Sequence, residues 1–189
     1  GGLTTSSEQP NQPLRQLADG DPGTFWVSGG GKQRVGPSRS EPVWVQFEFV
    51  VPTGAQRLSV LPRPCYGPRQ CELQVSQDGK GFRSVKQFTA DEQKETVVAF
   101  EPTTGRVFRL VVYSAFDRGS PQAPRNVQIA ELRLSGPGGS WPDGSRGRRT
   151  LRHWEQKAGH KPLHFSAPDT SLLFEESPAE PGDADTLAS

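Results

Sequence analysis

The sequence has no long hydrophobic run: nowhere do about eighteen consecutive apolar residues occur, so no membrane-spanning helix is predicted. It also has no basic-plus-apolar leader and begins with Gly1-Gly2, so we expect a processed or excised piece of a longer protein. Charge of one sign is not in excess, because 22 lysines and arginines oppose 21 aspartates and glutamates. A net charge of +1 creates no overall field that favours nucleic acid or anionic lipid as a partner.

Recognisable catalytic motifs are missing as well. The sequence contains no G-x-S-x-G, no H-E-x-x-H and no G-x-x-x-x-G-K-[ST]. Two carboxylates could in principle support glycoside hydrolysis. The acids cluster only in one Asp-Gly turn and in an acidic stretch near the C-terminus, however, and neither place offers a cleft. We therefore do not expect this chain by itself to be an enzyme.

Cysteine is scarce: the two that occur, Cys65 and Cys71, bracket a five-residue loop. In an oxidising compartment a disulfide could close this loop and contribute about 2 kcal/mol by restricting the unfolded chain. Alternatively, both are free thiols. A cysteine metal site is not expected, because the spacing is wrong and no histidine lies nearby.

Turn-forming residues are abundant, with 21 glycines and 18 prolines, and convincing amphipathic helices are absent. From Val43 to Phe49 the residues alternate, so that the odd-numbered apolar side chains share one face of a strand. Similar runs cover residues 56–61, 71–76, 83–88, 96–100, 107–113 and 128–135, with a hairpin-type Asp78-Gly79 among the breaks. Seven or eight short strands at this spacing predict an all-β fold, an antiparallel β-sandwich.

Two distant segments carry unusual acids. Asp19, Asp21 and the Thr24 hydroxyl lie in one Gly-rich turn, and Glu131 interrupts an otherwise apolar strand. A carboxylate in such a strand needs a partner, since burying an unpaired charge is costly. The oxygen atoms of the turn are ligands of the kind that calcium prefers. The alternative is a turn capped by Thr24, with Glu131 paired to an arginine such as Arg133 or Arg109.

These segments, together with the strand motifs between them, resemble the discoidin or coagulation-factor 5/8 type C domain, and especially the family-32 carbohydrate-binding modules. The motifs that carry the resemblance are the D-G-D-x-x-T-x-W turn from Asp19 to Trp26, then Trp44–Phe49, Leu73–Phe82, Gly105–Val112 and Ala130–Gly136. The resemblance implies a jelly roll. It also implies a structural calcium ion bound by Asp19, Asp21, Thr24, Ala130 and Glu131, which would join the first loop to the last strand.

Three loops are the candidate glycan site, because ligand-binding residues gather on loops held by a rigid scaffold. They cover residues 28–41, 62–70 and 114–126. A sugar site needs an apolar surface and fork-like donors, and the residues chosen on this basis are Arg34, Arg63, Tyr66, Arg69, Phe116 and Arg118. Taken singly, each of them is more commonly a solvated loop residue, and it is their joint presence on three loops that indicates a site. Phe25, Trp26 and Trp44 are expected to pack in the core. Galactose specificity is doubtful, because all three histidines lie in the C-terminal tail.

The domain organisation follows from changes in composition. We predict a lead-in segment over residues 1–13, the β-sandwich over 14–136, a Gly/Pro/Arg-rich linker over 137–150 and a largely irregular tail over 151–189. The basic stretch at Arg146–Arg152 is interpreted as a solvated interdomain surface. Within the tail, Trp154–Gly159 (W-E-Q-K-A-G) resembles a short stretch of glycoside hydrolase family 106, the α-L-rhamnosidases, which implies that the tail is a fragment of the next module.

The sequence therefore predicts a non-catalytic carbohydrate-binding or accessory module of a glycoside hydrolase, plausibly an α-L-rhamnosidase acting on plant polysaccharide. Its partners would be a glycan and the parent catalytic domain, whose acids lie outside this chain, and its location would be secreted or periplasmic. The alternative is an extracellular adhesion or lipid-binding discoidin domain, which the polar, basic loops disfavour.

Overall fold

The structure, a computed structural model, describes residues 2–29 and 36–142. These ranges contain one short 3-10 helix, Leu14–Ala18, and no α-helix. The strands are β1 (Gly2–Thr5), β2 (Trp26–Val27), β3 (Val43–Pro62), β4 (Gln70–Ser76), β5 (Arg83–Thr89), β6 (Thr96–Val112), β7 (Gln128–Gly136) and β8 (Gly139–Trp141). Every pairing between them is antiparallel. Within the same two ranges, no helix has the length and apolar character needed to cross a membrane.

Two long strands build the sandwich by bending from one layer into the other. The first half of β3 pairs with β1 and with the second half of β6, which continues to β4 and β5. After register shifts between residues 48 and 57, the second half of β3 pairs with the first half of β6 and with β7, which also pairs with β2 and β8. The predicted antiparallel β-sandwich is confirmed. Both long strands bend near their midpoints. The first and last residues of β3 and of β6 therefore lie at the same end of the sandwich, together with the loops that adjoin them.

The core lies between the two layers and follows the alternation seen in the sequence. Val45 and Phe47 are buried, as their alternation predicts. Trp44 lies on the other face of β3, is only partly buried and carries the Arg109 guanidinium on its ring, so the prediction that it packs in the core is wrong. Trp26 is completely buried, which confirms its predicted core role. The remaining core is formed by buried side chains of the other strands: Leu58, Val60, Leu73, Phe108, Leu110, Ile129, Leu132 and Leu134.

The sandwich extends beyond the predicted boundaries at both ends. Residues 2–5 of the predicted lead-in form β1, opposite residues 45–48 of β3, and bury Leu3. Strand β8 falls in the predicted linker, where the Trp141 ring packs edge-on against Phe47 and Phe49 at 5.1 and 5.5 Å between centroids. Each segment contributes one large apolar side chain, which is too few to produce a recognisable alternation. The predicted tail 151–189, with the basic stretch and the Trp154–Gly159 motif, lies outside the described residues.

The two cysteines are free thiols, so the structure contains no disulfide between Cys65 and Cys71. Cys71 on β4 points into the core with 3% of its surface exposed, and burial raises the pKa of its thiol to about 12. Cys65 lies in the loop before β4, where its sulfur accepts a hydrogen bond from Gln93 Nε2 at 3.1 Å. The two thiols therefore have different environments.

Candidate functional site

The three predicted loops meet at one end of the sandwich, where backbone hydrogen bonds join them. Phe116 N–H donates to the Gly67 carbonyl at 2.9 Å, and Arg118 N–H donates to the Cys65 carbonyl at 3.1 Å. The first loop touches the third so closely that a Cβ on Gly36 would lie 1.9 Å from the Pro124 carbonyl oxygen. The described parts of the three loops thus form one continuous surface, which we call the loop end.

Arg63 is held at the loop end by two aromatic rings and a hydrogen bond. Its guanidinium carbon lies 4.2 Å from the Phe25 ring centroid and 5.1 Å from that of Tyr66. Its Nη1 atom donates to Gln128 Oε1 at 2.6 Å. Stacking on two rings together with a hydrogen bond fixes the plane of the guanidinium, and a fixed fork loses less conformational entropy when it binds a ligand.

A second arginine–aromatic pair lies beside the first. The Arg69 guanidinium is 5.6 Å from the Phe116 ring centroid. Within residues 2–29 and 36–142 the only ion pair joins Arg125 to Asp117, so neither Arg63 nor Arg69 has a carboxylate partner there. At the described loop end, these two stacked guanidinium groups therefore have no ion-pair partner.

Asp117 organises the third loop. Its carboxylate accepts two hydrogen bonds from the Arg125 guanidinium, at 2.8 and 2.9 Å, and others from the backbone amides of Gly119, Ser120 and Arg125. The Arg125 hydrogen bonds, reinforced by these amides, lower the pKa of Asp117 to about 2 against the effect of its burial. Because the carboxylate is 5% exposed and fully used internally, it supports the loop rather than a ligand.

The acidic turn of the first segment is tied to β7. Gly20 N–H donates to Glu131 Oε1 at 2.9 Å, across 111 residues of sequence. Asp19 accepts hydrogen bonds from Asp21 N–H at 2.9 Å and from the Thr24 hydroxyl at 2.7 Å. Partial burial, followed by the nearby charge of Asp19, raises the pKa of Glu131 to about 7.

A comparison with protein families matches residues 2–131 to the F5/8 type C domain. The chain belongs to this family. The resemblance inferred from the sequence is thereby confirmed for the sandwich, and the matched range includes β1, which the sequence had assigned to a lead-in.

Three solved carbohydrate-binding modules have a similar fold. CpGH89CBM32-5 from Clostridium perfringens, solved in complex with GalNAc-β-1,3-galactose, is 21% identical, and the match covers 71% of this chain and 94% of that one with a TM-score of 0.57. CBM32-3 from a family 31 glycoside hydrolase of the same organism is 15% identical, with 71% and 90% covered and a TM-score of 0.60. Chitosan-binding module 1 from Paenibacillus sp. IK-5 is 18% identical, with 71% and 94% covered and a TM-score of 0.56. The curated proteins contain no match to the chain.

In this F5/8 type C domain, the structure brings together four of the predicted ligand-binding residues: Arg63 with Tyr66, and Arg69 with Phe116. Arg118 lies on the same loop end through its backbone bond to Cys65, and Arg34 lies outside the described residues. The sequence missed the contribution of Gln128, and its prediction that Phe25 packs in the core is wrong, because the partly buried ring lies under the Arg63 guanidinium instead. Phe25 precedes the buried Trp26 at the start of a strand, so alternation alone would place its ring on the opposite side, away from the core.

The predicted metal residues of the domain are only partly assembled. Asp19 and Glu131 are neighbours, but the Asp21 carboxylate turns to accept the Gly23 N–H at 2.8 Å. No group of three or more His, Cys, Asp or Glu side chains in the described ranges is arranged to hold a metal ion. No ion pair to Glu131 occurs among these residues, although the charge of Arg133 lowers its pKa against the larger effects of burial and Asp19. Arg109, the other predicted partner, stacks on the rings of Trp44 and Phe82 instead.

Proposed function

We propose that this F5/8 type C domain is a non-catalytic module that binds glycan at its loop end. The observation that carries the proposal is the Arg63 guanidinium, held over Phe25 and Tyr66 and fixed by Gln128. Its remaining N–H groups form a planar fork that suits two neighbouring sugar hydroxyls. Further support comes from the relatives of the same fold, one of which was solved in complex with a disaccharide.

The neighbouring Arg69–Phe116 pair enlarges the surface, so that it can contact more than one sugar ring of a ligand. Both pairs stand on loops that backbone hydrogen bonds connect, and the Asp117–Arg125 ion pair braces the third loop internally, so little ordering is needed on binding. A small, open and polar surface of this kind fits weak binding, with a dissociation constant on the order of 1 mM. Weak single sites are useful in a module that holds an enzyme near a polymeric substrate.

The test is a binding screen of the purified chain against soluble polysaccharides, by affinity electrophoresis and then by calorimetry with oligosaccharides. The site variants are Arg63→Gln and Tyr66→Ala, and the matched control is Arg83→Gln, an exposed arginine at the start of β5, at the opposite end. We expect each site variant to weaken binding at least about fivefold, and the control to bind like the wild type. Retention of no polysaccharide, or equal binding by all four proteins, would contradict the proposal.

The lipid-binding alternative has less support from the surface. Membrane-binding loops need bulky apolar side chains at their tips. The large apolar residues that are most exposed in the described chain are Val50, Val51 and Val97, and none of them lies on the three loops. We therefore keep glycan as the proposed partner.

We further propose that the chain is an accessory part of a glycoside hydrolase similar to the family-106 α-L-rhamnosidases, secreted or periplasmic, with the parent catalytic domain as its second partner. The support is the short Trp154–Gly159 motif in the tail. An assay with an aryl α-L-rhamnoside should give turnover only with the longer protein and none with this chain. Hydrolysis by the chain alone would contradict the non-catalytic role, and an inactive longer protein would contradict the assigned parent. Cell fractionation of the host tests the location.

The acidic turn is proposed as a structural calcium site. The donors fit in kind: two adjacent carboxylates, Asp19 and Glu131, and the Thr24 hydroxyl are hard oxygen ligands, and the Ala130 carbonyl and Asp21 complete the proposed set. Partial burial and then the adjacent Asp19 charge raise the pKa of Glu131, and the Arg133 charge only partly offsets them. A bound cation would supply positive charge there and join the first loop to β7.

A further inference from the structure

A cavity lies beside the Arg63 and Arg69 pairs, at the edge of the loop end. It has a volume of about 270 Å³ and opens where β4 begins and where β5 and β6 end. The polar side chains in its wall are Arg39, Gln70, Gln87, Thr89 and Tyr113. Arg39 comes from the first loop, and none of these residues belongs to the Arg63 or Arg69 pairs.

The cavity is built around a fixed arginine–tyrosine pair. The Arg39 guanidinium carbon lies 5.2 Å from the Tyr113 ring centroid. Tyr113 is itself anchored, because its hydroxyl donates a hydrogen bond to Glu72 Oε2, and Glu72 is 7% exposed. The ring therefore gives Arg39 a rigid surface to stack on, as in sites where a guanidinium must be oriented.

The cavity wall carries positive charge only. Arg39 is the only charged side chain in the wall, and it has no ion-pair partner in the described part of the chain. The nearby Glu72 carboxylate is not part of the wall. Burial would raise its pKa, but hydrogen bonds from Ser84, Tyr113, Gln74 and Gln87 outweigh burial and keep the pKa below its ordinary value. Hydrogen bonds within the protein thus stabilise the Glu72 charge, whereas no ion pair in the described residues neutralises the charge of Arg39.

The other polar groups are neutral and suit hydroxyls. The side chains of Gln70 and Thr89 form no hydrogen bonds with the rest of the described chain, so both can donate and accept. The volume is slightly below the roughly 300 Å³ at which small-molecule pockets usually begin, which suits one sugar ring rather than a chain. An arginine fork matches a carboxylate in two parallel hydrogen bonds.

From this arrangement we propose that the cavity is a subsite for one uronic acid residue, with Arg39 binding the sugar carboxylate and Gln70 and Thr89 binding ring hydroxyls. The inference rests on the proposed function, because it takes the ligand to be a saccharide. It adds a second contact region and a preference for acidic polymers, neither of which follows from the Arg63 pair. A polymer with one ring in the cavity and another ring at the Arg63 pair would pass over the first loop, which carries Arg39.

The experiment compares polygalacturonate with its fully methyl-esterified form, which has the same backbone without the charge. Binding is measured by affinity electrophoresis and calorimetry for the wild type, Arg39→Gln, Tyr66→Ala and the control Arg83→Gln. We expect Arg39→Gln to weaken binding of polygalacturonate about tenfold to a hundredfold, the loss typical of a charged hydrogen bond. Its binding of the esterified polymer should stay unchanged. Thermal unfolding checks that each variant is folded, and Arg39 is exposed, so its replacement should leave the fold intact.

The outcomes separate this inference from the proposed function. If both polymers bind alike and only Tyr66→Ala weakens them, the cavity proposal fails and glycan binding at the loop end stands. If no saccharide binds to any of the proteins, both fail. Dextran sulfate and single-stranded DNA serve as other polyanions. Should they bind as tightly as polygalacturonate, or should Arg83→Gln lose as much as Arg39→Gln, general charge attraction would explain the data and overturn the subsite.

Discussion

Replacing Glu131 with glutamine should stabilise the calcium-free protein above neutral pH, although it removes a native carboxylate. In the wild type, Glu131 Oε1 accepts the Gly20 N–H, and a glutamine oxygen can accept it equally well. What the substitution removes is the negative charge of Glu131, which burial and then the neighbouring Asp19 disfavour, so that its pKa is raised to about 7. The new amide N–H₂ can also donate to Asp19, so that a repulsion is replaced by a hydrogen bond.

The size of the effect follows from linkage. A carboxyl group whose folded pKa is raised contributes its full stability below its ordinary pKa of 4.5 and loses it as the pH rises through about 7. A shift of this size corresponds to at most about 3 kcal/mol, and solvent screening of a half-buried pair reduces it to about 1–2 kcal/mol. For a domain of this size we expect Glu131→Gln to melt about 2–8 °C higher than the wild type at pH 8 in chelator.

In the presence of calcium, we expect the wild type to melt at a higher temperature than Glu131→Gln. The wild type should gain stability from millimolar calcium, whereas Glu131→Gln, with one carboxylate fewer, should gain little. The assay is thermal unfolding from pH 4 to pH 8, with calcium or with chelator, and the control is Glu101→Gln, the same substitution at an exposed position of β6. A wild-type midpoint that is identical with calcium and with chelator would remove the metal site. A variant that melts below the wild type at pH 8 in chelator would refute the reasoning about the acid pair.

Three further predictions concern the core, the third loop and the thiols. Phe47→Ala removes a fully buried ring and should lower the free energy of unfolding by about 3–5 kcal/mol in urea titrations; a loss below 1 kcal/mol would contradict the assigned core. Because the Arg125 hydrogen bonds lower the pKa of Asp117 to about 2, its contribution should be complete above about pH 4 and fall as the pH drops towards 2. Asp117→Asn should abolish that acid step, and a step of unchanged size would rule out this carboxylate as its source. Ellman's reagent should modify Cys65 in the native protein and Cys71 only on unfolding, and equal rates would contradict the burial of Cys71.

The alternation of β3 made the sandwich predictable, but the strand bends did not follow from the sequence. Residues 96–100 and 107–113 were predicted as two strands, whereas β6 runs without a break from Thr96 to Val112. The chain stays extended through Gly105 as it passes from one layer to the other. A Cβ at Gly105 would lie 2.2 Å from Val75 Cγ2, so glycine is needed here for the close approach of β6 to Val75. In the sequence, the same glycine was interpreted as part of a turn between two strands.

The candidate site was predictable as a set of loops but not as a set of contacts. The sequence identified the loops because their polar residues interrupt the strands. It did not reveal that Arg63 would stack on Phe25, since the two are brought together only by the pairing of β3 and β2 with β7. The approach of Glu131 to the first turn was foreseen, and the hydrogen bond from Gly20 confirms it. The orientation of Asp21 was not, because it depends on a local turn around Gly23.

Glycan binding at the loop end is most directly tested by a two-dimensional ¹H–¹⁵N NMR titration of the chain with an oligosaccharide that it retains in affinity electrophoresis. We expect saturable shifts to concentrate in residues 36–42, 62–70 and 113–128, including the side-chain amide of Gln128 and the guanidinium N–H of Arg63. Residues around Val50 and Val51, at the opposite end, should not move. Saturable shifts confined to that opposite end, or no shifts at millimolar ligand, would contradict glycan binding at the loop end.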